Sequence, residues 1–188
     1  MENTRTKTTR NSLILLLTAA IWGMAFVSQS KGMDYMHPFT FNGVRSLIGA
    51  ASILVYILIS RKIAGDKAAP LDWKLNVKAG LLCGIFLTIA STLQQFGIKY
   101  TSVGKAGFIT TLYIIFVPMF GIFLKKKVAP VVWAAAVMAA VGMYLLCMTE
   151  SLRLGAGDIM VFLCAIAFAI QIMTVDHYAA RIDGAVVS

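Results

Sequence analysis

AGFITTLYIIFVPMFGIFLKKK (106–127) decides how the chain is read. A soluble helix of this length shows a polar face at helical spacing; here Thr110, Thr111 and Tyr113 crowd into one turn and the rest is apolar up to three lysines. A helix needs roughly 20 apolar residues to cross the hydrocarbon core of a bilayer. The stretch is therefore read as a membrane span, with Lys125, Lys126 and Lys127 as its stop.

The surrounding sequence agrees. Of 188 residues, 59% are hydrophobic and 13% charged, and the mean hydropathy is +0.81. Soluble domains carry about 25% charged residues, so this composition is that of an all-α integral membrane protein. The net charge of +9 lies in short connections between apolar runs; it is explained by topology, and no nucleic-acid partner is implied. Cys83, Cys147 and Cys164 all sit inside apolar runs and read as small buried residues. No cofactor or metal site is suggested.

Six stretches are long enough to span: Ser12–Ser30, Phe39–Ser60, Leu75–Ile98, Gly104–Leu124, Ala129–Thr149 and Asp158–Val175. The first follows Arg5, Lys7 and Arg10 like a signal peptide, but it is nearly twice the usual apolar length and is read as a retained span. Alternate connections hold twelve Lys and Arg against four, which places the N-terminus in the cytoplasm of a multi-pass protein of the cell (inner or plasma) membrane. Pro38 and Pro130 stand where spans begin, a position at which proline costs no hydrogen bond. Gly80 with Gly84, Ala135 with Ala139 and Ala136 with Ala140 recur at the spacing that lets helices approach closely in lipid.

Shifting the sequence by 146 residues lays LILLLTAAIWGMAFVSQS (13–30) over IMVFLCAIAFAIQIMTVD (159–176), with Trp22 over Phe168. Copies five spans apart enter the membrane from opposite sides, an arrangement common in secondary transporters.

Three stretches carry a resemblance: AAIWGMAFVSQSKGM (19–33), HPFTFNGVRSLIGA (37–50) and TLQQFGIKYTSVGKAGFITTLYIIFVPMFGIFL (92–124), with GMYLLCM (142–148) as a weaker match. In their order and spacing the chain resembles the EamA branch of the drug/metabolite transporter superfamily, from about residue 12 onward. The resemblance implies ten spans in two inverted five-span units, with a substrate path between the halves and export or exchange of a small metabolite by alternating access. On that reading residues 1–11 are a cytoplasmic N-terminal segment, 12–149 one five-helix unit, and 150–188 the first helix of a second, inverted unit. The sequence departs from the pattern by ending at Ser188, after the sixth span. The rest of the path is then expected from a missing C-terminal half or from a second copy in a homodimer, and the short chain alone is expected to be inactive.

Five residues are candidates for the substrate path: Arg45, Gln94, Gln95, Thr111 and Tyr113. Arg45 lies seven residues past Pro38, about 10 Å into its helix at 1.5 Å per residue. A charge at that depth faces protein or water, contacting an anionic group, or snorkels to the interface. Gln94 and Gln95 follow Ser91 and Thr92, and four polar side chains in a row do not all face lipid; they line a cavity or bond between helices. Pro118 is the expected helix break, freeing a carbonyl near residue 114 beside the polar turn of Thr111 and Tyr113. The alternative is a kinked packing helix whose threonines bond to its own backbone. Lys105 reads as an interfacial snorkel, Asp158 as a helix N-terminal acid, and Asp176 with His177 as an interfacial cap.

The other function classes fare worse. The only two histidines, His37 and His177, are expected on opposite sides of the membrane, and no HExxH, GxSxG or paired intramembrane carboxylates occur. That argues against an integral membrane enzyme. A channel or accessory subunit lacks a filter signature.

Overall fold

The computed structural model describes residues 2–64, 72–125, 128–147 and 155–179. Within them the chain forms seven helices: α1 (Glu2–Gly32), α2 (Pro38–Ala64), α3 (Trp73–Tyr100), α4 (Val103–Thr111), α5 (Tyr113–Phe123), α6 (Pro130–Cys147) and α7 (Ala156–Ala179). α4 and α5 follow one another as a single interrupted rod, Val103–Phe123, so the expected six rods are present. Five of them are long and apolar enough to cross a membrane. The described part of the fifth in chain order, α6, has 18 residues, or about 27 Å at 1.5 Å per residue. Residues 148 and 149 of its expected span lie outside the described residues.

Local chemistry sets the helix ends. Pro38 and Pro130 open α2 and α6, where a missing N–H and a fixed φ suit the first turn. Asp72 caps α3 by accepting the Leu75 N–H at 3.1 Å, and Ser102 caps α4 by accepting the Lys105 N–H at 3.2 Å. α5 ends where Lys125 takes a left-handed φ of 57°, and its N–H turns back to the Ile122 carbonyl at 2.8 Å, the usual way a helix satisfies its last carbonyls.

The bundle is centred on α3. α7 packs along it and also against α4 and α5, α6 rests on α4 and α5, and α1 and α2 touch α3 more lightly. One cluster joins Ala90, Cys164, Ala167 and Phe168, with Leu93 and Tyr113 against it. The second joins Ile98, Ala106, Ile109 and Val161, with Phe26, Phe108 and Leu112.

Two glycines set the closest approach. A Cβ on Gly97 of α3 would meet Val161 and lie 2.9 Å from the Gly157 carbonyl oxygen; one on Gly157 of α7 would lie 2.8 Å from the Gly97 oxygen. This crossing was not among the expected small-residue contacts. Around Gly80 and Gly84 there is open space, so those two join no helices among the described residues, whereas Ala136 is buried and Ala139 and Ala140 line a cleft. The two helices aligned at a shift of 146 residues differ in surroundings: Phe168 on α7 is 8% exposed, its counterpart Trp22 on α1 51%. Long faces of α1, α2 and α6 present large apolar side chains outward, as helices bordering lipid do.

Candidate functional site

α3 has mean composition apolar enough to span, yet its second half buries Ser91, Gln94 and Gln95. A buried polar group without a partner costs about 1–3 kcal/mol, so the partners of these side chains are informative. Gln94 Nε2 donates to Thr110 Oγ1 of α4 at 3.3 Å. Gln95 is fully buried, and its Nε2 reaches the Gln29 carbonyl of α1 at 3.4 Å. Its Oε1 has no hydrogen-bond partner. Nor have Gln29 Oε1 and both side-chain polar atoms of Asn42, although Gln29 is 5% and Asn42 9% exposed.

These three carboxamides lie at one end of the bundle. Gln29 is three residues from the end of α1, Asn42 four residues into α2 and Gln95 five residues from the end of α3. Contacts around them bind the three helices together. Phe39, one turn before Asn42, meets Phe96 edge to face at 5.2 Å, and His37 stands 5.8 Å from the same ring. Phe41 lies so close over Gly32 that a Cβ there would approach its ring to 2.5 Å.

The remaining sequence candidates occupy different settings. Arg45 is exposed on α2, one turn deeper than Asn42, with no hydrogen bond or ion pair to any described residue. It is not buried against this chain's own helices. Thr111 donates to the carbonyls of Gly107 at 3.0 Å and Phe108 at 2.8 Å. It also borders an apolar cleft of about 390 Å³ between α4, α5 and α6, with Phe108, Leu112 and Ala136. Tyr113 opens α5 and packs against Phe168 at 6.5 Å. These residues do not converge on one point.

The helix break is displaced from its expected place. Pro118 is buried within α5, which runs through it; the interruption lies at Leu112, six residues earlier. The cause is hydrogen-bond competition. The Phe108 carbonyl, which would accept the Leu112 N–H in a regular helix, takes the Thr111 hydroxyl instead. Leu112 N–H turns to the Ile109 carbonyl at 3.2 Å. Back-bonding of this kind bends helices.

A second polar group closes the end of α7. Asp158 is buried; its carboxylate accepts from the Gly155 N–H at 2.9 Å and the Thr101 hydroxyl, and pairs with Lys105 Nζ at 3.7 Å. The helix-terminal acid and the presumed snorkel are thus partners, tying the α3–α4 connection to α7. At the other end of α7, exposed His177 meets Tyr178 at 4.9 Å and borders an open groove of about 610 Å³ with Leu82, Phe123 and Met173.

Gln29 and Asn42 were missed at the sequence level. Their signal was faint: a glutamine between serines at a helix end, and an asparagine one turn after an opening proline, both ordinary interfacial patterns.

Comparison with known proteins gives a consistent picture. The EamA-like transporter family matches residues 10–148. A protein of Archaeoglobus fulgidus named "Uncharacterized transporter" is 31% identical over 171 residues, covering 88% of this chain and 48% of that protein. The chain spans about half the length of this curated relative. No solved structure matches.

Proposed function

We propose that this chain, which belongs to the EamA-like transporter family, supplies one half of a secondary transporter that moves a small polar metabolite across the cell membrane by alternating access. Family and relative both point to a transporter rather than an enzyme. The observation that carries the finer reading is the layer of buried carboxamides with unpaired atoms in an otherwise apolar bundle. Uncompensated polar groups in a spanning segment mark substrate or ion pathways.

Residues 12–149 form the first five-helix unit on this reading, and the segment from 150 begins the second, with its helix α7 seated on α3, α4 and α5. The exposed flank of α1 around Trp22 and the exposed Arg45 on α2 are where another unit completes the path. That unit is either the remainder of a longer chain or a second copy. Arg45 then contacts an anionic group of the substrate between the halves, Gln94 and Gln95 contribute hydrogen bonds, and Thr111 and Tyr113 border the hinge of the α4–α5 rod. The N-terminus lies in the cytoplasm, on the side of the twelve basic residues.

Efflux of a loaded metabolite extract from proteoliposomes tests the residue assignments. Arg45→Ala and Gln95→Ala are each expected to lower the initial rate at least about tenfold, the loss that accompanies removal of a hydrogen bond to a charged group. Intact efflux by correctly inserted variants would remove both residues from the path.

A further inference from the structure

We infer that the groove between the first half of α3 and the ends of α5 and α7 binds one anionic phospholipid, with an acyl chain along the apolar lining and the phosphate between Lys78 and Lys125. The site is separate from the carboxamides of α3, and the inference does not depend on transport.

The groove, of about 610 Å³, is lined by Leu82 of α3, Phe120 of α5, Leu124 just past it, and Ile170, Met173 and His177 of α7. From Ile170 to His177 the α7 wall runs about 10 Å at 1.5 Å per residue. Its inner part is apolar, and its outer part ends on His177 and Tyr178. The lining thus passes from apolar to polar toward the end of the bundle, as a phospholipid passes from chain to headgroup.

Two lysines stand at the polar end. α3 and α7 run antiparallel: Gly97 approaches Gly157 and Val161, while Ala90 packs with Cys164, Ala167 and Phe168. The same register carried onward sets Leu82 level with Thr174, both of which border the groove, and Lys78 level with Tyr178. Lys125 directly follows Leu124, at the left-handed turn that closes α5. Both lysines are exposed, and among the described residues neither has an ion-pair partner. Nearby acids are turned to other uses. Asp72 caps α3 through the Leu75 N–H, and Asp176 lies about 130° round α7 from the centre of the stripe that lines the groove. Two cations without a counter-charge, at the outer end of an apolar groove, complement a phosphate joined to an acyl chain. Basic pockets between helices at a membrane surface take anionic headgroups.

Other occupants use only part of this arrangement. A soluble anion gains nothing from the apolar lining. A zwitterionic lipid brings its own cation toward the lysines, and an apolar helix of another chain leaves both of them unpaired.

The test is native mass spectrometry of the purified protein in detergent, titrated with dioleoyl phosphatidylglycerol or dioleoyl phosphatidylcholine. The two share their chains and differ in headgroup charge. One phosphatidylglycerol is expected to bind at least about tenfold more tightly than phosphatidylcholine, each lysine near a headgroup being worth about fivefold. Inorganic phosphate is expected not to compete. Lys78→Gln and Lys125→Gly should each lower phosphatidylglycerol affinity about fivefold and leave phosphatidylcholine affinity unchanged. Lys125→Gly also relieves a positive φ at which glycine carries no steric penalty. Thermal stability is therefore kept or raised, and lost binding in that variant is not lost folding. Leu82→Trp fills one wall with both lysines in place and is expected to weaken both lipids. Equal affinity for the two lipids, competition by inorganic phosphate, or unchanged phosphatidylglycerol binding in any of the three variants would each overturn the assignment. So would the absence of bound lipid, which would mean that protein covers the groove.

Discussion

Gly157→Leu is expected to unseat α7 from the bundle. A side chain at 157 has nowhere to go: its Cβ would lie 2.8 Å from the Gly97 oxygen, 2.8 Å from the Tyr100 carbonyl carbon and 2.9 Å from Tyr100 Cβ. Two of these are backbone atoms of α3, so relief requires the helices to separate, opening the contact of Val161 with Ile98 and Ala106. Forced overpacking costs typically about 1–3 kcal/mol, and more where backbones must part; the expectation is a loss of at least about 3 kcal/mol. Denaturant unfolding of the purified protein in mild detergent reads this directly. Gly84→Leu is the control. Open space surrounds that glycine, and its effect is expected within about 0.5 kcal/mol. Equal losses in both variants would mean that the α3–α7 crossing does not carry the packing of α7.

Asp158→Ala is expected to cost about 3 kcal/mol, the scale of removing one partner of a buried pair. It takes away the acceptor of the Thr101 hydroxyl and the Gly155 N–H and leaves Lys105, whose side chain is 18% exposed, without its carboxylate. Asn at 158 keeps an acceptor oxygen and loses only the charge, so it is expected to cost about half as much. Removing Lys105 in the Asp158→Asn background isolates the ionic part: the two substitutions should be less costly together than their separate effects summed. Additive effects would show that Lys105 and Asp158 act independently.

The overall architecture could be read before the structure because a bilayer leaves few choices. Every backbone group in the hydrocarbon must be satisfied within the chain, so an apolar run of span length is a helix. Prolines and lysine runs then punctuate it. Positions of single side chains were legible where burial was the only alternative to lipid, as for Gln94 and Gln95, which are buried in the second half of α3. What escaped the sequence was pairing. Thr101 and Asp158 are 57 residues apart, and each alone has an ordinary local explanation. Gly97 and Gly157 likewise form a close crossing only across two helices, while a four-residue repeat within one helix is visible but here meets open space.

The displaced helix break teaches the same point at shorter range. Proline is the residue a reader notices, and the freed carbonyl four residues before it is real chemistry. Yet α5 absorbs Pro118, and the rod parts at Leu112 because the Thr111 hydroxyl outcompetes a backbone N–H for the Phe108 carbonyl. Arg45 shows a different limit. Its depth left two settings open, a contact with protein or water and a snorkel to the interface, and the structure shows it exposed on α2.

The central claim is that the protein moves a polar solute through a bilayer, and flux tests it most directly. The protein, purified from its native membrane with any chain that accompanies it, would be placed in vesicles loaded with a cell metabolite extract, and the solutes released over time identified by mass. The account predicts selective release of one class of small polar solute, absent from protein-free vesicles and lost in Gln95→Ala. Release indistinguishable from protein-free vesicles, by an intact and inserted protein, would contradict it.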